Sequence, residues 1–383
     1  MEEVKQCPLY RKCGGCQLQN MEYPRQLAWK QKRVQKLLGR FCKVEPILGM
    51  KNPYHYRNKV QAAFTTDRHG KICSGVYQSS THHVVPVESC LTEDETADRI
   101  MASVRELMTS FKLKPYDEVT GRGFLRHVLV KRGFTSGQVM VVLVAANPIF
   151  PAKKFVKALL QMHPEITTVL LNLNNRRTSM VLGKQEKVLY GHGYIEDTLC
   201  GCQFRISAKS FYQINPIQCE VLYRKAMEFA QLTGRETVID AYCGIGTIGL
   251  VAASRADRVY GIELNRDAVH DAVANAKRNH IQNAYFLCAD ATKCLTQMAA
   301  EGDHADVVFM DPPRAGSTER FLLSLWELAP KRVVYISCNP ETQARDLDYL
   351  CGRGYLVQKI QPVDMFPHTD HVETVVLMSR VKD

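Results

Sequence analysis

From about residue 236 to its end, the chain alternates short apolar, β-rich runs with amphipathic helical patterns. Such alternation predicts an α/β fold with a parallel sheet and crossover helices. The segment before the last run, Asp364–Val372, is too short for a helical crossover, so the last strand should be reversed. We therefore predict a Rossmann-like sheet with six parallel strands and one antiparallel strand. The seven predicted strands are Glu236–Ala241, Arg258–Glu263, Ala284–Ala289, Val307–Asp311, Arg332–Ser337, Tyr355–Val363 and Glu373–Met378.

The residues before this region predict a different organisation. Residues 1–45 hold a group of cysteines and a basic helical run, residues 46–200 form a separate α+β domain, and residues 201–383 comprise a bridge and the Rossmann-like sheet. The α+β domain is predicted to have helices near 93–112 and 151–162. Its predicted strands are Asn58–Phe64, Val84–Val87, Leu125–Lys131, Val139–Ala145, Val169–Asn172 and Lys187–Tyr190.

Composition limits the class of protein and its compartment. No run approaches the roughly 20 apolar residues of a membrane span, and the start lacks the apolar core of a signal peptide, so we expect a cytosolic protein without a membrane partner. Lys and Arg number 50 against 39 Asp and Glu, a net charge of +11, which favours a nucleic-acid partner over a merely basic surface. The 14 cysteines, in a long chain without a secretion signal, point to metal ligation or thiol chemistry rather than disulfides.

A glycine-rich turn follows the first predicted strand of the sheet. Asp240, Gly244, Gly246 and Gly249 precede a helical pattern, and Glu263 ends the next strand. Glycines let the backbone approach a ligand, and the acidic residue can bind a ribose diol. This spacing also fits a dinucleotide dehydrogenase, or a tight turn without a ligand. The reversed last strand favours S-adenosylmethionine (SAM) over a dinucleotide.

Three further groups should meet at the carboxyl edge of this sheet. Asp311 ends the fourth strand, Cys338 follows the fifth, and Glu373 begins the reversed seventh strand. Because that strand runs backwards, its start lies at the edge where the others end. A thiol, a carboxylate and the cofactor site would share one cleft. Each residue also has a simpler interpretation. Cys338 could be a buried structural thiol, and Glu373 could merely cap the edge of a strand. Asp311 followed by Pro-Pro more often marks amino-methyltransferases, so this motif is ambiguous by itself.

A thiol beside a methyl donor suits methylation of a uracil at C5, which is too weak a nucleophile to react unaided. Addition of a thiolate to C6 turns C5 into an enolate carbon. After methyl transfer, a base must remove the C5 proton before the cysteine can leave. Cys338 and Glu373 could fill these two roles.

Together the motifs resemble the RNA 5-methyluridine methyltransferases, the family of the 23S rRNA uracil-C5 enzymes and the tRNA thymine-loop enzyme. The resemblance implies a class I methyltransferase sheet, SAM as cofactor, Cys338 as nucleophile and Glu373 as general base. It rests on Arg57-Asn58-Lys59, Ser210–Asn215, Tyr242–Thr247, Asp311–Arg314, Ser337–Pro340, His371–Glu373 and the cysteine group. The cofactor-binding residues that it implies are Gln213, Tyr242, Gly244, Gly246, Thr247, Glu263, Asp290 and Asp311.

The cysteines near the N-terminus have the spacing C-x5-C-x2-C, formed by Cys7, Cys13 and Cys16. The spacing alone allows an iron–sulfur cluster, a zinc site or unligated thiols. The resemblance implies Cys90 as the fourth ligand and a [4Fe–4S] cluster. Ribosomal members of the family typically carry such cysteines, so the resemblance favours 23S rRNA as substrate. Because the group begins at Cys7, the chain is similar to the short subtype, without an N-terminal RNA-binding β-barrel, or to a trimmed relative with a different target.

The target uridine should lie in a loop or be flipped out of its stack, because a stacked, paired base hides C6. Phe211 could stack on the target base or on its neighbour, and a core role for it is equally compatible with the sequence. The basic groups that could hold phosphates, each of which could equally be a solvated charge, are Arg25, Lys30, Arg33, Arg57, Lys59, Arg122, Arg126 and His127.

The sequence thus predicts a monomeric, SAM-dependent enzyme with an iron–sulfur cluster that converts a uridine of 23S rRNA to 5-methyluridine. One alternative is the same chemistry on the thymine-loop uridine of tRNA. A nicotinamide-dependent oxidoreductase would use the glycine motif, but no hydride-handling His or Arg–Asp pattern follows it. An RNA-binding protein without catalysis would leave Cys338 and Glu373 unexplained.

Overall fold

The computed structural model describes residues 6–78, 81, 83–118, 120–148, 150–176 and 180–381. The helices in these ranges are α1 Tyr10–Cys13, α2 Tyr23–Leu38, α3 Glu95–Ser110, α4 Ala152–Met162, α5 Pro216–Ala230, α6 Thr247–Ala253, α7 Arg266–Arg278, α8 Ala291–Glu301, α9 Glu319–Leu328 and α10 Pro340–Cys351. The strands are β1 Lys59–Thr66, β2 Ile72–Tyr77, β3 Val84–Pro86, β4 Leu125–Arg132, β5 Val139–Ala145, β6 Ile166–Leu173, β7 Gln185–Tyr190, β8 Tyr194–Leu199, β9 Cys202–Ser207, β10 Thr237–Ala241, β11 Arg258–Glu263, β12 Ala284–Cys288, β13 Val307–Met310, β14 Arg332–Ser337, β15 Tyr355–Val363 and β16 Glu373–Arg380. Within these ranges, no helix combines the length and apolar character that a membrane crossing requires.

The chain forms two compact units. The first contains residues up to Asn20, Pro53–Asp197 and Arg205–Lys209, and the second contains Met21–Asn52, Thr198–Phe204 and the chain from Ser210 onward. The three domains predicted from sequence, 1–45, 46–200 and 201–383, differ from these units mainly at the N-terminus. The cysteines before residue 20 belong to the first unit, whereas helix α2 belongs to the second.

The second unit is built on a seven-stranded sheet with the order β12-β11-β10-β13-β14-β16-β15. Strands β10 to β14 pair in parallel, and β16 pairs antiparallel with both β14 and β15. Six strands therefore share one direction and β16 is reversed, which confirms the predicted α/β sheet.

The centre of this sheet is apolar on both faces. All four residues of β13, Val-Val-Phe-Met, are buried, as expected for a parallel strand covered by helices on both sides. On one face, Phe321 and Leu325 of α9 and Leu347 of α10 pack against Val308 and Tyr335 in a common core. This packing leaves only the ends of the strands free to carry polar groups.

The first unit is a mostly antiparallel sheet with the order β3-β2-β1-β4-β5-β6-β7. Among the strands described in this sheet, only β5 and β6 pair in parallel, and α4 supplies the crossover between them. Helices α3 and α4 bury one face of the sheet in a single apolar core. All seven residues of β5 are buried, so this strand was readily predicted from its continuous apolar run.

Among the described strands, β2 and the β8–β9 hairpin were not predicted. Strand β2 contains Ser74 and Gly75, which weaken its β signal, but Gly75 lets β3 approach closely. The β8–β9 hairpin turns at Cys200 and Gly201, both with positive φ (50° and 83°). A two-residue hairpin turn requires this conformation, which Asn-Gly signals more clearly than Cys-Gly.

Candidate active site

The carboxyl edge of the second unit's sheet gathers the groups predicted to react. Asp311 follows β13, Cys338 follows β14, and Glu373 is the first residue of β16. Ser337 and Thr374 are directly paired in the antiparallel ladder, so the residues just beyond them, Cys338 and Glu373, are neighbours at this edge. The structure therefore brings the thiol and the carboxylate together from distant parts of the sequence.

Two glycines of this turn differ in their surroundings: Gly246 is closely packed and Gly244 is open. Gly246 has a φ of +83°, and a Cβ there would lie 2.9 Å from the Phe286 ring, so a larger residue does not fit. Gly244 also has a positive φ, +55°, but a Cβ there would meet no atom within 4 Å. The backbone at Gly244 is thus exposed to a space in which a ligand could lie, in a conformation that favours glycine.

Two carboxylates fix the shape of this turn. Glu263 Oε2 accepts a hydrogen bond from the Gly244 amide at 3.1 Å, while its Oε1 accepts one from the Asn265 amide at 2.8 Å. Asp240 Oδ2 accepts from the Gly249 amide at 2.7 Å, and Asp240 Oδ1 is buried without a hydrogen-bond partner among the described residues. The pKa of Asp240 is raised to about 8, chiefly by burial and to a smaller extent by the nearby Asp311 and Glu263.

Negative groups accumulate around the predicted nucleophile. Burial raises the pKa of Asp311 to about 7. Burial, with a contribution from Asp311, also raises the pKa of Glu373 well above its usual range. The pKa of the Cys338 thiol rises to about 11, first through burial and then through Glu373 and Asp311. Ionisation of this cleft is therefore disfavoured, and a cationic ligand, such as the sulfonium group of SAM, would stabilise its charged forms.

Arg314 is the one cation that acts on both Cys338 and Glu373 in the described part of this site, and sequence reasoning gave it no role. Its guanidinium lowers the pKa of each group, opposing the effect of burial. The carbonyl of Arg314 accepts hydrogen bonds from Asn339 Nδ2 and Thr342 Oγ1, both at 3.2 Å. Its place directly after Asp311-Pro312-Pro313 was the available signal.

Two further predicted cofactor residues, Thr247 and Tyr242, contact other side chains of the second unit. Thr247 Oγ1 is hydrogen-bonded to the buried Tyr223 hydroxyl at 2.9 Å, a partner without any sequence signal. The Tyr242 ring packs against Phe321 at 5.1 Å, and its hydroxyl contacts Ser317, so its side chain supports the segment after Asp311.

Gln213 and Asp290 lie at helix starts. Gln213 is half-buried just before α5. Asp290 is exposed and caps α8, accepting a hydrogen bond from the Lys293 amide at 3.0 Å. Helix capping therefore accounts for Asp290 without a ligand, although Asp290 and Leu264 also line a groove of about 880 Å³.

The predicted RNA-binding residues fall into two groups. In the second unit, Phe211 is 63% exposed, as a base-stacking residue would need to be. In the first unit, Arg122 is exposed and Arg57 and Lys59 are half-buried. Burial lowers the pKa of Lys59, and the charge of Arg57 lowers it further.

Several basic residues proposed for phosphates are instead buried. Arg126 is only 5% exposed, and its guanidinium binds Glu118 Oε1 at 2.6 Å and the carbonyls of Asn174 and Arg176. His127 is also buried, which lowers its pKa to about 4. Lys30 is fully buried. Arg126, His127 and Lys30 thus face the protein interior, and in this structure they present no exposed group to a phosphate.

The predicted iron–sulfur ligands are neighbours, but they do not form a metal-binding arrangement. Cys7, Cys13, Cys16 and Cys90 are all half-buried. The pKa of Cys16 is raised to about 12, chiefly by burial and to a smaller extent by the other three thiols. Across the described ranges, no three His, Cys, Asp or Glu side chains are arranged to hold a metal ion. The geometry therefore does not support the predicted metal site, although the four thiols are the donor set such a cluster uses.

A seven-stranded sheet with one reversed strand, a glycine turn and an acidic cleft at its carboxyl edge defines a class I SAM-dependent methyltransferase. The model of the tRNA (uracil-5-)-methyltransferase family matches residues 22–381. The chain therefore belongs to this family of RNA 5-methyluridine methyltransferases.

Individual proteins agree with this membership. The chain is 44% identical to an uncharacterized RNA methyltransferase of Halalkalibacterium halodurans, over 97% of this chain and 82% of the relative. It is 42% identical to another from Clostridium tetani, over 98% of this chain and 83% of the relative. The crystal structure of Pyrococcus abyssi tRNA (uracil-54, C5)-methyltransferase in complex with S-adenosyl-L-homocysteine matches with a TM-score of 0.80 and 28% identity, over 98% of this chain and 88% of that one.

The raised pKa of Asp311 predicts a pH-dependent cost to stability. An unfolded Asp ionises near pH 4, whereas Asp311 in the folded protein has a pKa of about 7. Its contribution to stability is therefore fully present below pH 4 and is lost as the pH rises through about 7. We expect Asp311→Asn to raise the free energy of unfolding by roughly 1–3 kcal/mol at pH 8 and by much less at pH 4.

Denaturant unfolding at both pH values measures this difference, with the exposed Asp303→Asn as control. Equal effects of Asp311→Asn at pH 4 and pH 8 would show that this carboxyl is not perturbed by burial.

Proposed function

We propose that the protein transfers a methyl group from SAM to C5 of a uridine in RNA, with Cys338 as the nucleophile and Glu373 as the general base. The observation that carries the proposal is the pairing of β14 with β16, which makes Cys338 and Glu373 neighbours beside Asp311. A methyltransferase acting on nitrogen or oxygen would have no use for a thiol at this position.

The reaction requires a bond from sulfur to carbon that forms and later breaks. The Cys338 thiolate adds to C6, and the electron pair of the C5–C6 double bond moves to C5 and the adjacent carbonyl oxygen. SAM supplies an electrophilic methyl group, which C5 takes as the sulfonium becomes a neutral thioether. The Glu373 carboxylate then removes the C5 proton, the double bond re-forms, and the Cys338 thiolate leaves.

The charges around the thiol match this order of events. In the free protein, Cys338 and Glu373 hold their protons because burial raises both pKa values; Asp311 raises both further, and Glu373 also raises that of Cys338. Arg314 favours the thiolate and the carboxylate, which are the forms that react. A positive charge brought into the cleft by the ligand would act in the same direction. The site is therefore activated by loading rather than permanently reactive.

The glycine turn and its carboxylates are the groups that we assign to SAM. The open backbone at Gly244 can approach the ligand, Gly246 keeps the turn close to the Phe286 ring, and Glu263 at the end of β11 can bind a ribose diol. Asp240 Oδ1 is buried without a partner among the described residues, and the carboxyls of Asp240 and Asp311 would ionise more readily beside a bound sulfonium. Gln213, Tyr242, Thr247 and Asp290 complete the proposed set.

We propose 23S rRNA as the substrate, on the basis of the cysteine group that ribosomal enzymes of the family typically carry. A specific observation favours the alternative, tRNA, because the similar Pyrococcus abyssi structure is that of a tRNA (uracil-54, C5)-methyltransferase. Phe211 and Arg122 are exposed and available to RNA, with Arg57 and Lys59 as further candidates. These four residues could contact rRNA or tRNA alike.

We further propose that Cys7, Cys13, Cys16 and Cys90 hold a [4Fe–4S] cluster. One line of support is that the other three thiols lie close enough to Cys16 to raise its pKa. Another is that two adjacent glycines, Gly14 and Gly15, let the chain fold tightly between Cys13 and Cys16. Binding would deprotonate all four thiols and draw them together.

Substitution of the two reacting groups should have opposite effects on the covalent intermediate. We expect Cys338→Ala to abolish both turnover and any covalent protein–RNA species, because no sulfur is left to add to C6. Glu373→Gln should lower turnover by about 10²-fold or more and accumulate the covalent species, because proton removal is the step it blocks. Denaturing gels with radiolabelled RNA separate the two outcomes, with Cys351→Ala of helix α10 as control. Normal turnover by Cys338→Ala would refute the mechanism.

The RNA class can be decided directly. RNA from cells lacking this protein, separated into rRNA and tRNA, is incubated with the enzyme and methyl-labelled SAM. We expect label in 5-methyluridine of 23S rRNA. Label confined to tRNA would reject the ribosomal target and keep the chemistry.

The metal prediction is tested on protein purified without oxygen. We expect about four iron and four sulfide per chain, with brown colour, lost in Cys16→Ser and retained in Cys42→Ser. Stoichiometric zinc without iron would overturn the cluster in favour of a zinc site.

A further inference from the structure

Helix α2 buries a polar stripe as well as an apolar one. Its buried residues are Gln26, Lys30, Val34 and Leu38, which lie four residues apart and so share one face. Val34 and Leu38 belong to the main apolar core. Gln26 and Lys30 instead face the segment Asp364–Asp370, which connects β15 to β16.

Lys30 forms an ion pair that is removed from water entirely. Its Nζ donates to Asp364 Oδ1 at 2.6 Å and to the Phe366 carbonyl at 3.0 Å, and the side chains of Lys30 and Asp364 are both 0% exposed. The Tyr23 hydroxyl donates to Asp364 Oδ2 at 2.9 Å. Burying two charges is costly, and apolar residues of similar volume often stabilise a fold equally well. The pair is therefore better explained by the geometry it imposes than by stability.

Gln26 holds the middle of the same segment. Its Oε1 accepts a hydrogen bond from the His368 amide at 2.8 Å, and its Nε2 lies 3.1 Å from His368 Nδ1. His368 has a φ of +69°, which is uncommon for a residue with a Cβ and persists only when its surroundings enforce it. One turn beyond Lys30, Arg33 Nη1 donates to the Asp370 carbonyl at 2.8 Å. Three turns of α2 thus bind four residues of the segment, Asp364, Phe366, His368 and Asp370.

The segment leads directly into Glu373. His371, two residues before it, lies 3.4 Å (Nε2) from Arg314 Nη2, and Val372 is buried. A shift of one residue where β16 begins would turn Glu373 to the opposite face of the sheet. The contacts from α2 fix the chain on the last residues before this point.

We propose that Gln26 and Lys30 of helix α2 are positioning residues for the general base: by holding Asp364–Asp370 they fix the start of β16, and with it the side chain of Glu373. Neither residue touches RNA or SAM in this role. The inference rests on the proposed function, in which Glu373 acts only after the covalent intermediate has formed. Loss of positioning should therefore slow the second half of the reaction and leave the first half intact.

The test compares two rates in single-turnover experiments on the full-length protein. Formation of the covalent protein–RNA species is followed on denaturing gels, and its breakdown is followed by the release of 5-methyluridine-containing RNA. For Lys30→Met we expect breakdown to slow on the order of 10-fold or more, with formation changed less than about threefold. The covalent species should then accumulate, as in Glu373→Gln.

Two further variants keep the result interpretable. Gln26→Leu leaves no buried charge unpaired and should show the same selective slowing, even if Lys30→Met folds poorly. Lys36→Met makes the same change at an exposed position of α2 and should leave both rates unchanged. Thermal melting checks that each variant is folded.

Equal loss of both rates in folded Lys30→Met and Gln26→Leu, or loss of neither, would overturn the positioning role. A wild-type protein that forms no covalent species would instead refute the proposed function, so the two failures are distinguishable.

Discussion

The antiparallel pairing of β16 with β14 is the interaction on which the site depends. A sheet with all its strands parallel would place Glu373 at the amino edge, far from the cleft. The reversed strand begins where the others end, and the pairing of Ser337 with Thr374 brings Cys338 beside Glu373. Three local consequences follow from this one register. Cys338 and Glu373 are both desolvated, Glu373 raises the pKa of the Cys338 thiol, and Arg314 lowers the pKa of both groups.

The carboxyls of the cleft lower the stability of the folded protein, and we relate them to reactivity instead. Asp240, Asp311 and Glu373 are carboxyls whose charged forms are disfavoured in the folded protein. A protein selected only for stability would replace them with neutral or apolar groups. Their presence at one edge makes sense for a ligand that carries positive charge, and SAM dependence is shared by the family to which the chain belongs. The buried Lys30–Asp364 pair is a second such departure, in the segment that leads to Glu373.

Much of this fold could be predicted from sequence, because apolar runs and the lengths of the connecting segments are local properties of the chain. Continuous apolar runs such as β13 predicted the parallel strands of the sheet. The segment between β15 and β16 is too short for a crossover, so it predicted that the last strand is reversed. Charge was a poorer guide than apolar pattern. Lys30 and Arg126 are basic residues in basic segments, yet each is buried against a carboxylate that lies elsewhere in the sequence, Asp364 and Glu118. Tyr223 beneath Thr247 was missed for the same reason, since only the fold brings them together.

The most direct test of the account uses RNA in which the target uridine is replaced by 5-fluorouridine. Fluorine at C5 cannot leave as a cation, so a base cannot complete the elimination and the enzyme should remain bonded to the RNA. We predict that mass spectrometry of the digested complex finds the Cys338 peptide linked to C6 of the pyrimidine, with a methyl group added at C5. Methylation without a covalent link, or a link through a different cysteine, would contradict the central claim.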